Sequence, residues 1–262
     1  MKSARNNMEN LKITIIQPDI IWENAKANLE KYSGMLENIK QTDVIILPEM
    51  FTTGFSMHPE TLKEAMDGAS VKWMQQIASD KTAAVVGSLI IEDDGKVYNR
   101  AIWVFPEGKI ETYDKRHLYS MGQEHLHYAS GKDKLIVEYK GWKFCPQICY
   151  DLRFPVFARN LEDYDVVFYM VNWPSPRHHV WKNLLISRAI ENQAYCFGVN
   201  RVGLDGTGLK YLGDSGCISP KGFPEFMGDS ESIQTYNISY SELHDFRQKF
   251  PLLNDRDTFS IL

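Results

Sequence analysis

Three reactive side chains follow runs of residues that are typical of buried strands. They are Glu49 after Asp43–Leu47 (DVIIL), Lys115 after Lys109–Tyr113, and Cys149 after Trp142–Ile148. Because ligand crevices in α/β sheets form beyond the carboxyl ends of the strands, we expect these side chains to lie close together. A carboxylate, an ammonium and a thiol in one place would supply a nucleophile, its proton acceptor and a cation that stabilises developing negative charge. The pattern is therefore a candidate for nucleophilic catalysis by a cysteine.

Each of these residues, taken alone, also fits an ordinary structural role. Glu49 follows Leu-Pro, where a glutamate is usually a surface acid or begins a helix. Lys115 stands beside Arg116, and such a pair is usually solvated. A cysteine after an apolar strand is usually a small core residue. A non-catalytic binding or scaffold protein therefore remains an alternative, against which the presence of all three residues argues.

Two cofactor alternatives are weaker. A zinc site would combine Cys145 and Cys149 with histidines, but Cys-x3-Cys without a second pair is not a common zinc spacing. The available histidines are His117, His125, His127, His178 and His179. The segment Gly203–Gly208 (GLDGTG) does not open a helix after a strand, so we interpret it as a loop and not as a dinucleotide-binding motif. We predict neither a metal nor a cofactor.

Short apolar runs alternate with longer amphipathic stretches, a pattern typical of strands joined by crossover helices. The predicted strands, besides the three above, are Leu11–Gln17, Ala83–Ile91, Val97–Phe105, Lys134–Glu138, Val166–Val171, Tyr195–Val199, Gly216–Ser219 and Ile233–Ile238. The predicted helices are Asn24–Ile39, Val71–Lys81, Phe154–Glu162, His178–Ala194 and Tyr240–Phe250. A hairpin turn at Asp93-Asp94-Gly95 predicts that the sheet becomes antiparallel there.

Two segments of the chain are alike. Asp43–Pro48 and Asp165–Met170 each present an aspartate, then a buried strand, then a loop with polar and aromatic groups. This similarity favours two sheets packed face to face with helices outside. No Gly/Ser/Pro-rich linker divides the chain, so we predict one α/β domain over residues 1–262, with residues 1–10 flexible.

Composition and charge narrow the class of partner. The formal net charge of -5 provides no general attraction for nucleic acid or for an anionic membrane. No window approaches the roughly 18 unbroken apolar residues of a membrane span, and the first residues lack the apolar core of a signal peptide. The 4 cysteines are too few for a disulfide framework. We therefore expect a cytoplasmic protein with a small-molecule partner, and neither nucleic acid nor a membrane.

Four stretches resemble motifs of the nitrilase superfamily of carbon-nitrogen hydrolases, in the order of that family. They are LPEMFTTGF (Leu47–Phe55), YDKRHLY (Tyr113–Tyr119), CPQICYDLRFP (Cys145–Pro155) and SRAIENQAYCFGVNRVG (Ser187–Gly203). The resemblance extends from about Lys12 to FPLLNDRD near the C-terminus. It implies a four-layer αββα sandwich of two mixed sheets with outer helices, and a Glu-Lys-Cys triad at Glu49, Lys115 and Cys149. The stretches VNWPSPR (Val171–Arg177) and GDSGCISPKG (Gly213–Gly222) are most similar to the omega-amidase branch.

The chemistry of such a triad can be written for these residues. Glu49 would take the proton from Cys149, whose sulfur would attack an amide carbon. We expect burial to raise the pKa of the acid and Lys115 to lower the pKa of the thiol. Lys115 and the backbone N–H of Tyr150 are candidate donors to the oxyanion. The superfamily often has a second glutamate that holds the lysine, and Glu124 matches it best, after a short loop; otherwise it is an exposed loop acid.

The substrate contacts are expected where strand Val166–Val171 ends. Trp173 and Arg177 leave the sheet at the same edge as the cysteine, and an arginine suits a substrate carboxylate. Phe55 and Tyr119 can form the pocket walls. We therefore predict hydrolysis of the terminal amide of a short dicarboxylic monoamide such as 2-oxoglutaramate, through a thioester. Alternative acyl donors are an N-carbamoyl amide, a nitrile or another amide.

The resemblance also implies a homodimer or a higher homo-oligomer. The predicted helix His178–Ala194 carries a broad apolar stripe that fits either its own sheet or a partner subunit. In the family such helices cross a two-fold interface, and the C-terminal segment 240–262 is expected to reach the partner.

Overall fold

The computed structural model describes residues 9–261 of the chain, so the prediction for residues 1–10 lies almost wholly outside the described residues. The strands are β1 Leu11–Gln17, β2 Val44–Ile46, β3 Ala84–Asp93, β4 Lys96–Val104, β5 Ile110–Asp114, β6 Val137–Tyr139, β7 Trp142–Ile148, β8 Val166–Met170, β9 Tyr195–Val199, β10 Val202–Leu204, β11 Lys210–Leu212, β12 Gly216–Ile218, β13 Pro224–Phe226 and β14 Ser232–Ile238. The helices are α1 Ala25–Leu36, α2 Pro59–Leu62, α3 Ala69–Lys81, α4 Glu124–His127, α5 Pro155–Ala158, α6 His178–Asn192 and α7 Tyr240–Lys249.

Twelve of the strands form two six-stranded mixed sheets. The first sheet has the order β14-β1-β2-β3-β4-β5, and the second has the order β13-β12-β9-β8-β7-β6. In each sheet two adjacent pairs are parallel, β1-β2 and β2-β3 in the first and β7-β8 and β8-β9 in the second, and the other three pairs are antiparallel. The remaining strands, β10 and β11, form a separate hairpin.

The two sheets pack face to face around an apolar core. Ile13, Val44 and Trp103 of the first sheet share this core with Phe144 and Phe168 of the second. The Trp103 and Phe144 rings are 5.0 Å apart between centroids, which joins the sheets directly. Since burial of apolar surface is the main favourable contribution to folding, this layer is the centre of the molecule.

Helices cover the outer faces of both sheets. Tyr32 of α1 and Met74 of α3 are buried against the first sheet. Trp181 and Leu185 of α6 are buried against the second. The four-layer αββα sandwich is therefore confirmed, and the buried part of the α6 stripe serves its own sheet. No helix within residues 9–261 combines the length and hydropathy needed to cross a membrane.

The internal similarity is visible in the hydrogen bonds at the start of two strands. The Asp43 carboxylate accepts from the backbone N–H of Lys12 at 2.7 Å, beside β2. The Asp165 carboxylate accepts from the backbone N–H of Lys143 at 3.1 Å, beside β8. Each aspartate thus fixes its strand to the preceding parallel strand, and β2 and β8 occupy equivalent places in their sheets.

Three local predictions were wrong. The expected helix Phe154–Glu162 is only the single turn of α5, because the Asn160 side chain bonds to the backbone of Tyr164 and competes with helix continuation. The expected strand Lys134–Glu138 begins at Val137 instead. The segment Gly203–Gly208 is not all loop, since Gly203 and Leu204 lie in β10 and residues 205–208 belong to the turn to β11.

Candidate active site

The side chains of Glu49, Lys115 and Glu124 form one fully buried ionic cluster. Lys115 Nζ lies 2.9 Å from Glu49 Oε1 and 2.9 Å from both carboxylate oxygens of Glu124. All three side chains have no exposed surface. Glu124 is therefore not an exposed loop acid. The structure brings together the two glutamates and the lysine that the sequence predicted.

Two asparagines hold the Glu49 carboxylate in place. Asn99 Nδ2 donates to Glu49 Oε1 at 2.9 Å and to Glu124 Oε1 at 3.2 Å. The backbone N–H of Asn172 donates to Glu49 Oε2 at 2.9 Å, and Asn172 Nδ2 donates to the Glu49 carbonyl at 2.7 Å. Sequence reasoning missed both asparagines. The position of Asn172 directly after the strand-like run Val166–Val171 was the available signal.

The turn after β2 orients Glu49. Met50 has a φ of 43°, a left-handed value, and its N–H donates to Ser88 Oγ of β3 at 2.8 Å. Ser88 Oγ in turn donates to Asn99 Oδ1 of β4 at 2.8 Å. This chain of bonds links three neighbouring strands to the carboxylate. Glu49 is thus fixed by the sheet and not by a free loop.

Cys149 stands at the end of β7, where the chain turns into a short 3-10 helix, Cys149–Arg153. Its φ of 45° is unusual for a residue with a side chain and indicates local strain, which is common at functional sites. Tyr150 follows in the first turn of that helix. The N–H groups at the start of a helix have no partner within it, so the backbone of Tyr150 is suited to bind an oxyanion.

Burial and charge set the pKa values of the cluster. Burial raises the pKa of the Cys149 thiol well above its usual value, and the charge of Glu49 adds to this rise. Lys115 lowers the pKa of the thiol, as predicted, but its effect is outweighed. The two carboxylates raise the pKa of Lys115 despite its burial, and burial raises the pKa of Glu124. The resting site therefore holds a neutral thiol and an ammonium.

A cavity of about 470 Å³ opens in front of this cluster. The three predicted groups Lys115, Cys149 and Tyr150 line it. All four predicted substrate residues also line it, namely Phe55, Tyr119, Trp173 and Arg177. Its volume suits a small ligand, since ligand pockets are typically about 300–1,000 Å³. The two glutamates lie behind the lysine, so a ligand would meet the sulfur and the ammonium first.

The cavity contains a second arginine that the sequence reasoning did not select. Arg153 lies over the Trp173 ring at 5.0 Å, and Arg177 lies over the Tyr119 ring at 5.4 Å. Among residues 9–261, neither guanidinium forms an ion pair. Arg153 stands four residues after the cysteine, and this proximity was the available signal. The site can therefore bind an anionic group near the thiol.

The hairpin of β10 and β11 supplies another wall. Asp205, Thr207 and Tyr211 line the cavity, and Tyr211 donates to Asp205 Oδ2 at 2.9 Å. Asp205 Oδ1 accepts from the N–H and the hydroxyl of Thr207 at 2.9 and 2.7 Å, and these bonds lower the pKa of Asp205 although burial opposes them. Sequence reasoning missed this wall because it treated the segment as a loop.

The residues considered for zinc have other surroundings. Cys145 is buried between the second sheet and α6, whereas Cys149 faces the cavity. His178 is paired with Asp214 at 2.7 Å, and His117 with Asp151 at 2.7 Å. Over the described range 9–261, no three His, Cys, Asp or Glu side chains are grouped as metal ligands.

This geometry agrees with one family of known proteins. The family model described as carbon-nitrogen hydrolase matches residues 12–242.

The chain belongs to the carbon-nitrogen hydrolase family.

As a member of this family, the chain is a hydrolase of carbon-nitrogen bonds in the nitrilase superfamily. It is 45% identical to omega-amidase YafV of Escherichia coli K12 over 258 residues, which cover 97% of this chain and 100% of that protein. It is 32% identical to 2-oxoglutaramate amidase of Bacillus subtilis, with coverage of 93% and 96%. The predicted similarity to the omega-amidase branch is confirmed.

A solved structure shares both fold and sequence. XC1258 of Xanthomonas campestris, a CN-hydrolase superfamily protein with an arsenic adduct in its active site, superposes with a TM-score of 0.95. The two chains are 42% identical, and the match covers 97% of this chain and 100% of the other. The sandwich architecture is therefore that of the superfamily.

Proposed function

We propose that this protein hydrolyses the terminal amide of a short dicarboxylic monoamide, of the 2-oxoglutaramate type, with Cys149 as the nucleophile. The observation that carries the proposal is the buried Glu49-Lys115-Glu124 cluster behind a cavity that exposes Cys149. The names of the relatives, omega-amidase and 2-oxoglutaramate amidase, support this class of substrate. Asn99 and Asn172 support it by fixing the cluster.

The first step is removal of the thiol proton by Glu49. Glu49 Oε1 accepts from Lys115 and Asn99, whereas Oε2, in the part of the chain that the structure describes, accepts from Asn172 alone, through its N–H at 2.9 Å and through Nδ2 at 3.4 Å. The backbone N–H of Asn172 also lowers the pKa of Cys149. We therefore assign the removal of the thiol proton to Glu49 Oε2, the oxygen that does not accept from the Lys115 ammonium. Because the resting thiol is neutral, the proton leaves as the sulfur attacks.

The second requirement is stabilisation of the oxyanion. An ammonium has three N–H groups; one is directed at Glu49, and a second can be shared between the two oxygens of Glu124, which lie at equal distances from Lys115 Nζ. The third can point into the cavity, which Lys115 lines. It and the backbone N–H of Tyr150 are the donors that would bind the oxyanion, and one such donor contributes about 3 kcal/mol.

The leaving group and the water complete the reaction. Glu49 returns the proton to the amide nitrogen, the carbon-nitrogen bond breaks, and ammonia leaves a thioester on Cys149. Glu49 then takes a proton from water, whose oxygen attacks the thioester carbon, and returns it to the sulfur. The products are a carboxylate and ammonia, and the enzyme regains its neutral thiol.

The two arginines of the cavity give the substrate preference. Arg153 and Arg177 carry guanidinium groups without carboxylate partners among the described residues, and both are only partly exposed. A partly desolvated guanidinium gains most from a carboxylate, which it binds through two parallel hydrogen bonds. We therefore assign the distal carboxylate of the substrate to Arg177 and Arg153, between the aromatic rings of Tyr119 and Trp173.

The test of the reaction is ammonia release from a panel of substrates. The panel contains 2-oxoglutaramate, succinamate, glutamine, an N-carbamoyl amino acid and a simple nitrile, each with wild type and Cys149→Ala. We expect release from the acidic monoamides and none from the variant. Turnover of only the carbamoyl compound or the nitrile would contradict the substrate, and activity retained by Cys149→Ala would contradict the nucleophile.

The test of the carboxylate site compares acidic with neutral amides. Arg177→Ala and Arg153→Ala are each expected to reduce kcat/KM for succinamate by about 10- to 10²-fold, since charged hydrogen bonds contribute about 1.5–3 kcal/mol. Turnover of butyramide, which lacks the carboxylate, should change much less. Arg256→Ala is the matched control, because Arg256 pairs with Asp163 outside the cavity. An unchanged ratio of acidic to neutral turnover in both cavity variants would refute the assignment.

We also propose that residues 1–262 form one domain that assembles as a homodimer in the cytoplasm. Ile190 of α6 and Phe223 are 48% and 71% exposed, and Phe250 near the C-terminus is 57% exposed. Such apolar side chains suit a partner subunit. All four cysteines are free, which suits a reducing compartment. Light scattering of wild type and Ile190→Glu tests the dimer; equal, monomeric masses would contradict it.

A further inference from the structure

One fully buried carboxylate near the cavity has no part in the proposed reaction. It belongs to Asp151, two residues after Cys149, and it has no exposed surface. Asp151 is not among the described residues that line the cavity, so it does not meet the substrate. Burying a carboxylate without hydrogen bonds costs a large free energy, so the groups that donate to Asp151 indicate its role.

Four hydrogen bonds from three donor residues reach this carboxylate. Asp151 Oδ2 accepts from the Tyr113 hydroxyl at 2.7 Å and from the N–H of Ile148 at 3.0 Å. Asp151 Oδ1 accepts from the N–H of His117 at 3.1 Å and from its Nδ1 at 2.7 Å. The four bonds use the acceptor capacity of both oxygens. The carboxylate is therefore satisfied only when the three donor segments are in register.

The donors flank the reactive residues along the chain. Lys115 stands between Tyr113 and His117, both of which bond to Asp151. Cys149 stands between Ile148 and Asp151 itself. A single carboxylate therefore fixes the segment of the lysine against the turn of the cysteine. β5 and β7 belong to different sheets, so this link also crosses the interface between them.

Aromatic packing stiffens the same link. The His117 ring stacks on the Phe154 ring at 3.8 Å between centroids and 4° between planes. Phe154 ends the 3-10 helix that begins at Cys149, and its N–H donates to the Asp151 carbonyl at 3.0 Å. The left-handed φ of Cys149 is strained and persists only where the surroundings hold it. Asp151 and its partners provide that hold.

We propose that Asp151 is a positioning residue that sets the distance and angle between the Lys115 ammonium and the Cys149 sulfur. This inference rests on the proposed role of Cys149 as nucleophile. Asp151 acts through Tyr113, His117 and the Cys149 turn, and not through the substrate. Misplacement of a reacting group by about 1 Å can reduce a rate by about 10²-fold, so the effect is measurable.

The test uses Asp151→Asn beside a matched control. Asparagine keeps the shape but replaces one acceptor oxygen with a donor, so two of the four donors lose their acceptor. Asp165→Asn removes another buried carboxylate, which lies at the start of β8, away from the cavity, and accepts from Lys143 and Arg247. Each variant is measured for kcat, KM, the melting temperature and the rate of Cys149 alkylation by iodoacetamide, which needs no assigned substrate.

We expect Asp151→Asn to reduce kcat by about 10²-fold with KM nearly unchanged, and to slow alkylation by about tenfold. Asp165→Asn should lower the melting temperature and leave kcat and alkylation near wild type. If Asp151→Asn does not fold, Tyr113→Phe, which removes one bond and keeps the ring, should show the same changes at smaller size. Wild-type alkylation and kcat in whichever variant folds would overturn the proposal. Failure of wild type itself to alkylate at Cys149 would instead contradict the proposed nucleophile.

Discussion

Replacement of Glu124 by glutamine should reduce activity and, at the same time, make the cysteine more acidic. Glu124 Oε1 accepts from Lys115 and Asn99, and Oε2 accepts from Lys115 and from the N–H of Tyr119 at 2.6 Å. Every neighbour of this carboxylate is a donor. A glutamine must therefore turn its NH2 group towards at least one donor, and an unsatisfied buried donor costs about 1–3 kcal/mol.

The attraction between the charges of Glu124 and Lys115 is larger than the cost of one unsatisfied donor. At the 2.9 Å separation of Lys115 Nζ and Glu124 Oε1, and with an effective dielectric constant of about 20, the attraction is about 6 kcal/mol. Glu49 lies at the same distance and keeps an equal attraction, so Lys115 stays charged in Glu124→Gln. The ammonium loses its orientation and not its charge. We therefore expect kcat to fall by about 10²- to 10³-fold, as for loss of an oxyanion donor.

The pKa of the Cys149 thiol should fall in Glu124→Gln, although the variant is less active. The negative charge of Glu124 is one of the groups that raise the pKa of Cys149. Without the charge of Glu124, Lys115 still lowers the pKa of the thiol, and the combined effect of the groups that raise this pKa is smaller. The midpoint of the pH profile of iodoacetamide alkylation should therefore move to lower pH, while turnover falls.

Two measurements on the same preparation, kcat and the pH profile of alkylation, test this prediction. Alkylation rates are taken across pH for wild type, Glu124→Gln and Glu138→Gln, a change of equal charge on a side chain that is 75% exposed. Glu138→Gln should match wild type in both assays. A midpoint in Glu124→Gln that stays in place or rises while kcat falls would refute the electrostatic reasoning.

Three further outcomes follow from the same contacts. Lys115→Arg should fold but lose about 10³-fold in kcat, because a planar guanidinium cannot reproduce contacts of 2.9 Å to both Glu49 and Glu124; near-normal turnover would contradict this. Asn99→Ala should lower the free energy of unfolding by about 1–3 kcal/mol in urea and reduce kcat, because both carboxylates lose a donor; an unchanged urea midpoint would contradict it. Burial raises the pKa of Cys145 from 9.0 to about 12, so the unfolded chain releases this proton first as pH rises. The contribution of the Cys145 thiol to the free energy of unfolding is therefore complete below pH 9 and decreases by up to about 4 kcal/mol towards pH 12. The free energy of unfolding of Cys145→Ala should depend less on pH in this range; parallel pH curves for the variant and wild type would contradict this.

Continuous apolar runs made much of the fold predictable. The bounds predicted for Leu11–Gln17, Trp142–Ile148 and Tyr195–Val199 agree with the structure, since each is a buried run with clear ends. The three-residue strands β10 and β11 have no such run. Their pairing depends on Asp205, whose carboxylate closes the turn, and on a bridge from Tyr211 to Pro174. Such contacts come from tertiary structure and leave no periodic signal.

The same distinction applies to the site. Glu49, Lys115 and Cys149 could be selected by type and position after predicted strands, whereas Glu124 was selected by the family resemblance. Asn99 could not be selected, because an asparagine in the middle of a strand is unremarkable until its neighbours are known. The net pKa of the thiol was also beyond sequence reasoning, since it depends on a balance between burial, one ammonium and two carboxylates.

The first proton transfer moves charge between the groups of this cluster. With the proton on sulfur, Glu49 and Glu124 contribute two negative charges and Lys115 one positive charge, a net charge of -1. With the proton on Glu49, the thiolate and Glu124 replace them and the net charge is again -1. The transfer takes place within a buried cluster whose carboxylates are already fixed by Asn99 and Asn172. A preorganised site gains its advantage in this way. The raised pKa of Cys149 is then compatible with fast chemistry, because the thiolate forms only when an acyl carbon is there to receive it.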